Sequence, residues 1–291
     1  MIVVNRKSSL SKFADYLLLL PSLIPLLLVF VYPFIKGILL TFHKKDETAW
    51  SLANYIRFFT QSDFYTTIYK TFLLVFPSSV LEMVVAFAMA YYLRKNIKGK
   101  AIISGLIIFP LTLGALIIAV GMVDFFKPAG WLNEGLLTMG IIHQPVHLLY
   151  NYWGAFIGLT ILGISFMFSN LTGLMEGIDP SFEQAARTLG ANDFTTFRKV
   201  FFPLIRSGVL TVFALNFIMQ LAVFSTAILV GNPASTTRVM TVAAFDEAMK
   251  NFDYNMASTI AMIMALTQAI SLGIIFFIRK LGYVGSASTF K

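Results

Sequence analysis

The sequence predicts an all-α membrane protein, a single transmembrane domain over 1–291 with six membrane-spanning helices. Three observations carry that prediction. Of its residues 57% are hydrophobic and 12% charged, and the mean hydropathy of +0.78 lies far above that of a soluble globular chain. Apolar runs of about 20 residues, the length that crosses a hydrocarbon core of about 30 Å, can be placed six times. The period-two alternation of a membrane barrel is missing from these runs. Backbone groups in lipid must be satisfied within their own segment, so the runs are helices.

The first run, 16–40, follows Arg6, Lys7 and Lys12 as a secretory signal would. It is too long for one, contains Pro21, Pro25 and Pro33, and shows no small-x-small cleavage pattern, so it reads as a retained helix. The remaining runs are 68–93, 101–126, 149–174, 209–230 and 258–278. Basic residues orient them. Arg94, Lys95, Lys98 and Lys100 follow the second run; Arg187, Arg198, Lys199 and Arg206 follow the fourth; Arg279, Lys280 and Lys291 follow the sixth. With the N-terminal tail these segments alternate correctly to share one side, and the opposite side holds fewer, so the positive-inside rule places both termini in the cytoplasm. The net charge of +8 then reflects topology and anionic lipid, and needs no nucleic acid. The chain has no cysteine, which excludes disulfides and thiol chemistry.

A polar segment, 176–206, separates the fourth and fifth runs and so lies in the cytoplasm. Asp179 can cap a helix opening at Pro180, and Phe182, Ala185, Ala186 and Leu189 then form one apolar stripe, ended at Gly190. A second start at Asn192 or Asp193 sets Phe194, Phe197, Val200 and Phe201 on another stripe, stopped by Pro203. Two short helices joined at a glycine are expected. Small alanines let a neighbouring surface approach the helix; an amphipathic linker resting on the membrane is the alternative.

The residues "QAARTLG", with Pro203 closing the segment, resemble the cytoplasmic signature of the permease subunits of binding-protein-dependent ABC importers of type I. In that family Glu-Ala-Ala, a glycine after three intervening residues and a terminal Ile-x-Leu-Pro make the pattern. Spacing matches throughout. Gln184 stands where the family usually has glutamate, Val200 where it has isoleucine and Phe202 where it has leucine, while Glu183 is one position early. "LLPSLIPLLLVFVYPFIKGILLTF" resembles the family's first span, "LANYIRFF" its first external connection and "GWLNEGLL" a feature of the third.

The resemblance implies a type I importer permease fold with cytoplasmic coupling helices between spans four and five. It implies that Glu183, Gln184, Ala185, Ala186, Gly190, Phe197 and Pro203 form the contact to an ATPase subunit dimer. It implies further partners: a second permease, a similar chain or another copy, and an extracytoplasmic binding protein that delivers the solute. The chain has no G-x-x-x-x-G-K-[ST] phosphate loop, so it is not expected to be an enzyme or to bind a cofactor; ATP and magnesium belong on the partner ATPase. The expected location is the bacterial inner membrane.

Polar groups inside spans mark the candidate pathway, because they are costly in hydrocarbon unless they face protein or water. Glu82 is the acidic residue in the middle of a span, and it reads as a substrate or gating contact or as an interhelical hydrogen bond. Asn216 and Gln220, four apart, share a face of the fifth span, with Ser225 nearer its outer end, and the family resemblance puts this helix along the pathway. Asn170 and Gln268 read as helix-helix glue. His143 and His147 share an external loop that lacks cysteine or clustered carboxylates, and no metal site is assigned. In the fifth connection Gly231, Asn232 and Pro233 break the span, and Val239, Val242, Ala243 and Met249 mark a short helix, which the resemblance makes an external gate or a binding-protein contact.

An ion-coupled secondary transporter, with Glu82 as coupling group, is the alternative of another class; it would leave the cytoplasmic signature unexplained. For substrate, "RTLGAN" has leucine where carbohydrate permeases of the family commonly have aspartate. That leans toward the branch handling polyamines, phosphonates, opines or ferric ions, and Glu82 suits a polyamine. The first span reads equally well as the carbohydrate branch.

Overall fold

The computed structural model describes residues 21, 24–47, 49–95 and 97–281. Helices make up nearly all of the regular structure of those residues, in keeping with the all-α expectation. Five helices among them are long and apolar enough to cross a membrane. In chain order the elements are α1 (Leu26–Thr41), α2 (Ala53–Thr60), α3 (Ser62–Leu93), α4 (Lys100–Leu113), α5 (Ala115–Phe126), α6 (Trp131–Thr138), α7 (Tyr152–Glu176), α8 (Ser181–Thr188), α9 (Asp193–Leu221), α10 (Ser225–Leu229), α11 (Met240–Phe245) and α12 (Tyr254–Leu281). Of the first expected span, 16–20 and 22–23 lie outside the described residues, and α1 is its described part.

The central packing unit is α3, α7 and α9. Leu74 and Val75 of α3 pack with Ala155 and Leu159 of α7 in one cluster, and Ala86, Ala90 and Leu93 pack with Met167, Phe168, Leu171 and Met175 in another. Early meets early and late meets late, so α3 and α7 run parallel. Phe201, Ile205 and Val212 join the second cluster whereas Phe217 and Leu221 join the first, so α9 runs against both.

Two of the expected spans are broken, and one expected stop is not a stop. The third expected run, 101–126, is two helices, because Gly114 adopts φ +80°, a conformation open to glycine and strained for other residues. The fifth, 209–230, unwinds at 222–224 before α10 begins. The freed carbonyl of Val223 accepts a bond from the Thr241 hydroxyl, so the interruption is satisfied by protein rather than lipid. The expected stop at Pro203 is corrected. A wide turn over Phe197–Phe201, closed by the Phe202 amide donating to the Phe197 carbonyl, precedes it. Pro203 then falls in the first turn of the next helical stretch, where its missing N–H is no loss, and the helix continues into the span.

Pro77 inside α3 is handled in another way. It cannot bond the Leu73 carbonyl four residues back, and the Tyr152 hydroxyl of α7 donates to that carbonyl at 2.9 Å. At the end of the bundle far from α8, α11 is buried through Val239, Met240, Val242 and Ala243, and the Thr71 hydroxyl accepts from the Met240 amide at 3.0 Å. Met249, expected on the same stripe, is exposed.

Candidate functional site

Halfway along the bundle the three central helices meet at a polar knot. Glu82 of α3 is fully buried. Its Oε2 accepts from Asn216 Nδ2 at 2.7 Å and from Gln220 Nε2 at 2.6 Å, the residues one turn apart on α9 that the sequence puts on one face. Ser78, one turn before Glu82, donates to Gln220 Oε1 at 3.2 Å and to its own helix at Val75. Glu82 Oε1 is buried with no hydrogen-bond partner among the described residues. Convergent amide donors offset part of the desolvation of a carboxyl group in a helix bundle.

What leaves room for the knot is Gly163 of α7. A Cβ there would overlap the Glu82 carboxyl group and the Gln220 amide nitrogen. Gly163 also lines a cavity of about 350 Å³ together with Asn216, Gln220, Ser225 and Thr226, walled on other sides by Leu159, Phe166 and Met219. The structure therefore brings Asn216, Gln220 and Ser225 to one cavity and sets Glu82 behind its wall, against the two amides. Thr226, whose buried hydroxyl oxygen has no partner, joins them. Asn170 bonds its own helix at the Phe166 carbonyl, while Gln268 reaches across from α12 to the Ile218 carbonyl of α9 at 3.4 Å.

Ser78, Gly163 and Tyr152 were missed by the sequence reading. Each acts on a residue far away in the chain, and nothing in its own neighbourhood marks it.

The second feature is the segment around α8. Asp179 Oδ1 accepts from the Ser181 amide at 2.8 Å, which holds the Asp179 carboxyl below its ordinary value. The helix ends as glycine permits: Gly190 has φ +84°, its amide donates to the Arg187 carbonyl at 2.9 Å, and the Ala191 amide donates to the Ala186 carbonyl at 3.1 Å. Asn192 then caps α9, its side chain accepting from the Thr195 amide at 2.8 Å.

Most of the expected apolar stripe of α8 is turned away from the rest of the described residues. Phe182 is 53% exposed and Leu189 88% exposed, Gln184 and Ala185 are exposed, and Phe194 nearby is 69% exposed. The inner side carries Glu183, which meets Arg94 at the end of α3. Ala186 is half-buried. Phe197 does not share the outer surface: its ring packs on Tyr91 and on Phe201 and Phe202 within the bundle. Pro203 is exposed on α9.

Residues 82–281, which hold both features, match the family described as binding-protein-dependent transport system inner membrane component. The chain belongs to that family. It is a permease subunit of an ABC importer, of type I, and ATPase activity in such importers lies on a separate subunit. That membership removes the secondary-transporter alternative.

Among characterised relatives, a sulfate transport system permease protein, CysT, of Salmonella typhimurium is 28% identical over 213 residues, 72% of this chain and 74% of that protein. A spermidine/putrescine transport system permease protein, PotB, of Haemophilus influenzae is 30% identical over 155 residues, 53% of this chain and 54% of that protein. The fold is similar to that of a chain in a bacterial ABC transporter involved in import of the acidic polysaccharide alginate, with TM-score 0.80 and 18% identity over 93% of this chain and 96% of that one. A chain of a bacterial alginate transporter in complex with a pentasaccharide-bound periplasmic protein gives TM-score 0.82 at 17% identity, covering 95% and 97%.

Proposed function

We propose that this chain forms, with a second permease, the path by which a binding protein's small polar or charged solute enters the cell, and that α8 is the element an ATPase subunit grips. The uncovered apolar face of α8 carries the reading. Phe182, Ala185 and Leu189 lie on a short helix rigidly closed at Gly190, facing away from their own chain, where an apolar surface of this kind calls for a protein partner. Gln184, in place of the family's usual glutamate, keeps a hydrogen-bonding side chain on that face without the charge. Both termini and the α8 end of the bundle are assigned to the cytoplasm, and the α11 end to the binding-protein side. Phe197 and Pro203 act from behind, by fixing how α9 leaves α8.

For the solute, a polyamine or another nitrogen cation is favoured over sulfate. The amides of Asn216 and Gln220 that line the cavity each give one N–H to Glu82, so an oxyanion would meet donors already partly engaged, with a carboxyl group behind them. A cation would meet acceptor oxygens.

Co-expression with the ATPase subunit of the same transport system tests the reading. The ATPase should copurify in detergent and be lost when Ala186 and Gly190 are both replaced by leucine. Solute uptake that continues in cells lacking the ATPase would overturn it. A thermal-shift survey of the cognate binding protein against spermidine, sulfate and oligosaccharides decides the solute class.

A further inference from the structure

Arg94 joins the two features described above. It closes α3, twelve residues beyond Glu82 on the same helix, about 18 Å along it at 1.5 Å per residue. Its guanidinium takes both oxygens of Glu183 on α8: Nη1 lies 2.6 Å from Oε1, and Nη2 donates to Oε2 at 2.8 Å. The two side chains are 23% and 14% exposed, so this forked pair is shielded and held in one geometry, unlike an ion pair on an open surface. The same guanidinium lies over the Phe201 ring, 4.1 Å from its centroid, and 5.2 Å from that of Tyr91. Phe201 is fully buried on the wide turn that leads into α9.

One side chain therefore touches three elements. The backbone ties α8 to α7 and to α9, but not to α3, and Arg94 supplies that lateral link. Farther up, α3 and α9 meet again where Glu82 holds Asn216 and Gln220. A push on α8 thus reaches the two cavity-lining amides along both helices, with the guanidinium as the stiff joint.

We propose that Arg94 and Glu183 are positioning residues that convert displacement of α8 into movement of α3 and α9, touching neither the ATPase nor the solute. Glu183, one position out of step with the family's acidic residue, faces inward and takes this role. The inference rests on the docking of α8 to an ATPase.

Its test needs no knowledge of the solute. Because the chain has no cysteine, Met219→Cys places one permease thiol on the cavity wall, at a residue that is 62% exposed. In the reconstituted transporter, its rate of maleimide labelling should change about tenfold between nucleotide-free and ATP-bound states, as the permease switches which side it opens. Adding Glu183→Gln should leave ATPase copurification intact and bring that nucleotide response to within about twofold. Arg94→Lys, which keeps the charge but loses the fork and the flat ring contact, should give an intermediate response and covers the case in which E183Q folds poorly. Reversing the pair, R94E with E183R, should restore part of the response. An unchanged response in both E183Q and R94K overturns the proposal. So does loss of ATPase binding in E183Q, which would make the pair a support for the docking face alone. Failure of the ATPase to copurify with the unaltered chain defeats the docking reading first, and this inference with it.

Discussion

The mid-bundle knot and the α8 segment are opposite solutions to the same problem. Glu82, Asn216 and Gln220 are polar groups in an apolar place, and they are buried against one another, both amides bonding one carboxyl oxygen while Glu82 Oε1 has no partner among the described residues. Phe182 and Leu189 are apolar groups on an exposed surface, and no described part of their own chain covers them. The bonds of the first arrangement lie within the subunit, so substitution there should be felt first as stability. On the proposed reading the second is completed by a partner, so substitution there should be felt as affinity.

The largest effect expected on that contrast is at Gly163. Gly163→Leu forces a side chain into the space of the Glu82 carboxyl group and the Gln220 amide, and a cost of about 1–3 kcal/mol or more should lower yield and melting temperature in detergent. A folded, equally stable G163L protein would show that the knot yields easily. Next comes Glu82→Leu, which strands the amides of Asn216 and Gln220 and should cost about 1–3 kcal/mol, while Glu82→Gln preserves an acceptor and should cost less. Equal melting points for the two variants would contradict the hydrogen-bond account.

At the other region, Leu189→Asp should leave the stability of the isolated permease, followed by thermal melting, within about 0.5 kcal/mol of the original, because the side chain is 88% exposed. The same variant should weaken ATPase binding by about tenfold or more, equal to about 1.4 kcal/mol. A melting shift without an affinity change would reverse the comparison.

The smallest effect concerns pH. The Asp179 carboxyl is held below its ordinary value by the Ser181 amide, so its contribution to α8 is present above the unfolded aspartate value and is lost as pH falls through the lower, folded one. Protection of the α8 amides, after correction for the intrinsic pH dependence of exchange, should therefore fall on acidification below the ordinary aspartate range. Asp179→Asn, which caps without titrating, should remove that dependence.

How much of this could be read in advance differs between the regions for a physical reason. The start and end of α8 are local: Asp179 two residues before its bonded amide and Gly190 at the left-handed closing position are visible in a short window. So is the i, i+4 spacing of Asn216 and Gln220. The partners of these groups are long-range, and short windows do not hold them. Nothing around Gly163 marks it as the space for Glu82, and nothing around Tyr152 marks it as the group that caps the carbonyl freed by Pro77. Pro203 misleads a local reading because the wide turn before it absorbs the break. Phe197 reads as part of an apolar stripe, which the resemblance carries to the ATPase contact, and its ring is turned by the same turn onto Tyr91 and Phe201.

The central claim, that the outer face of α8 is where a separate ATPase holds this permease, is tested most directly by cross-linking. In a chain with no cysteine, Leu189→Cys provides a single reactive thiol. A short bifunctional reagent should join it to the ATPase subunit, whereas a thiol placed at Trp131, itself 83% exposed on α6 at the other end of the bundle, should give no such product. Cross-linking of the ATPase from position 131 and not from 189 would contradict the account.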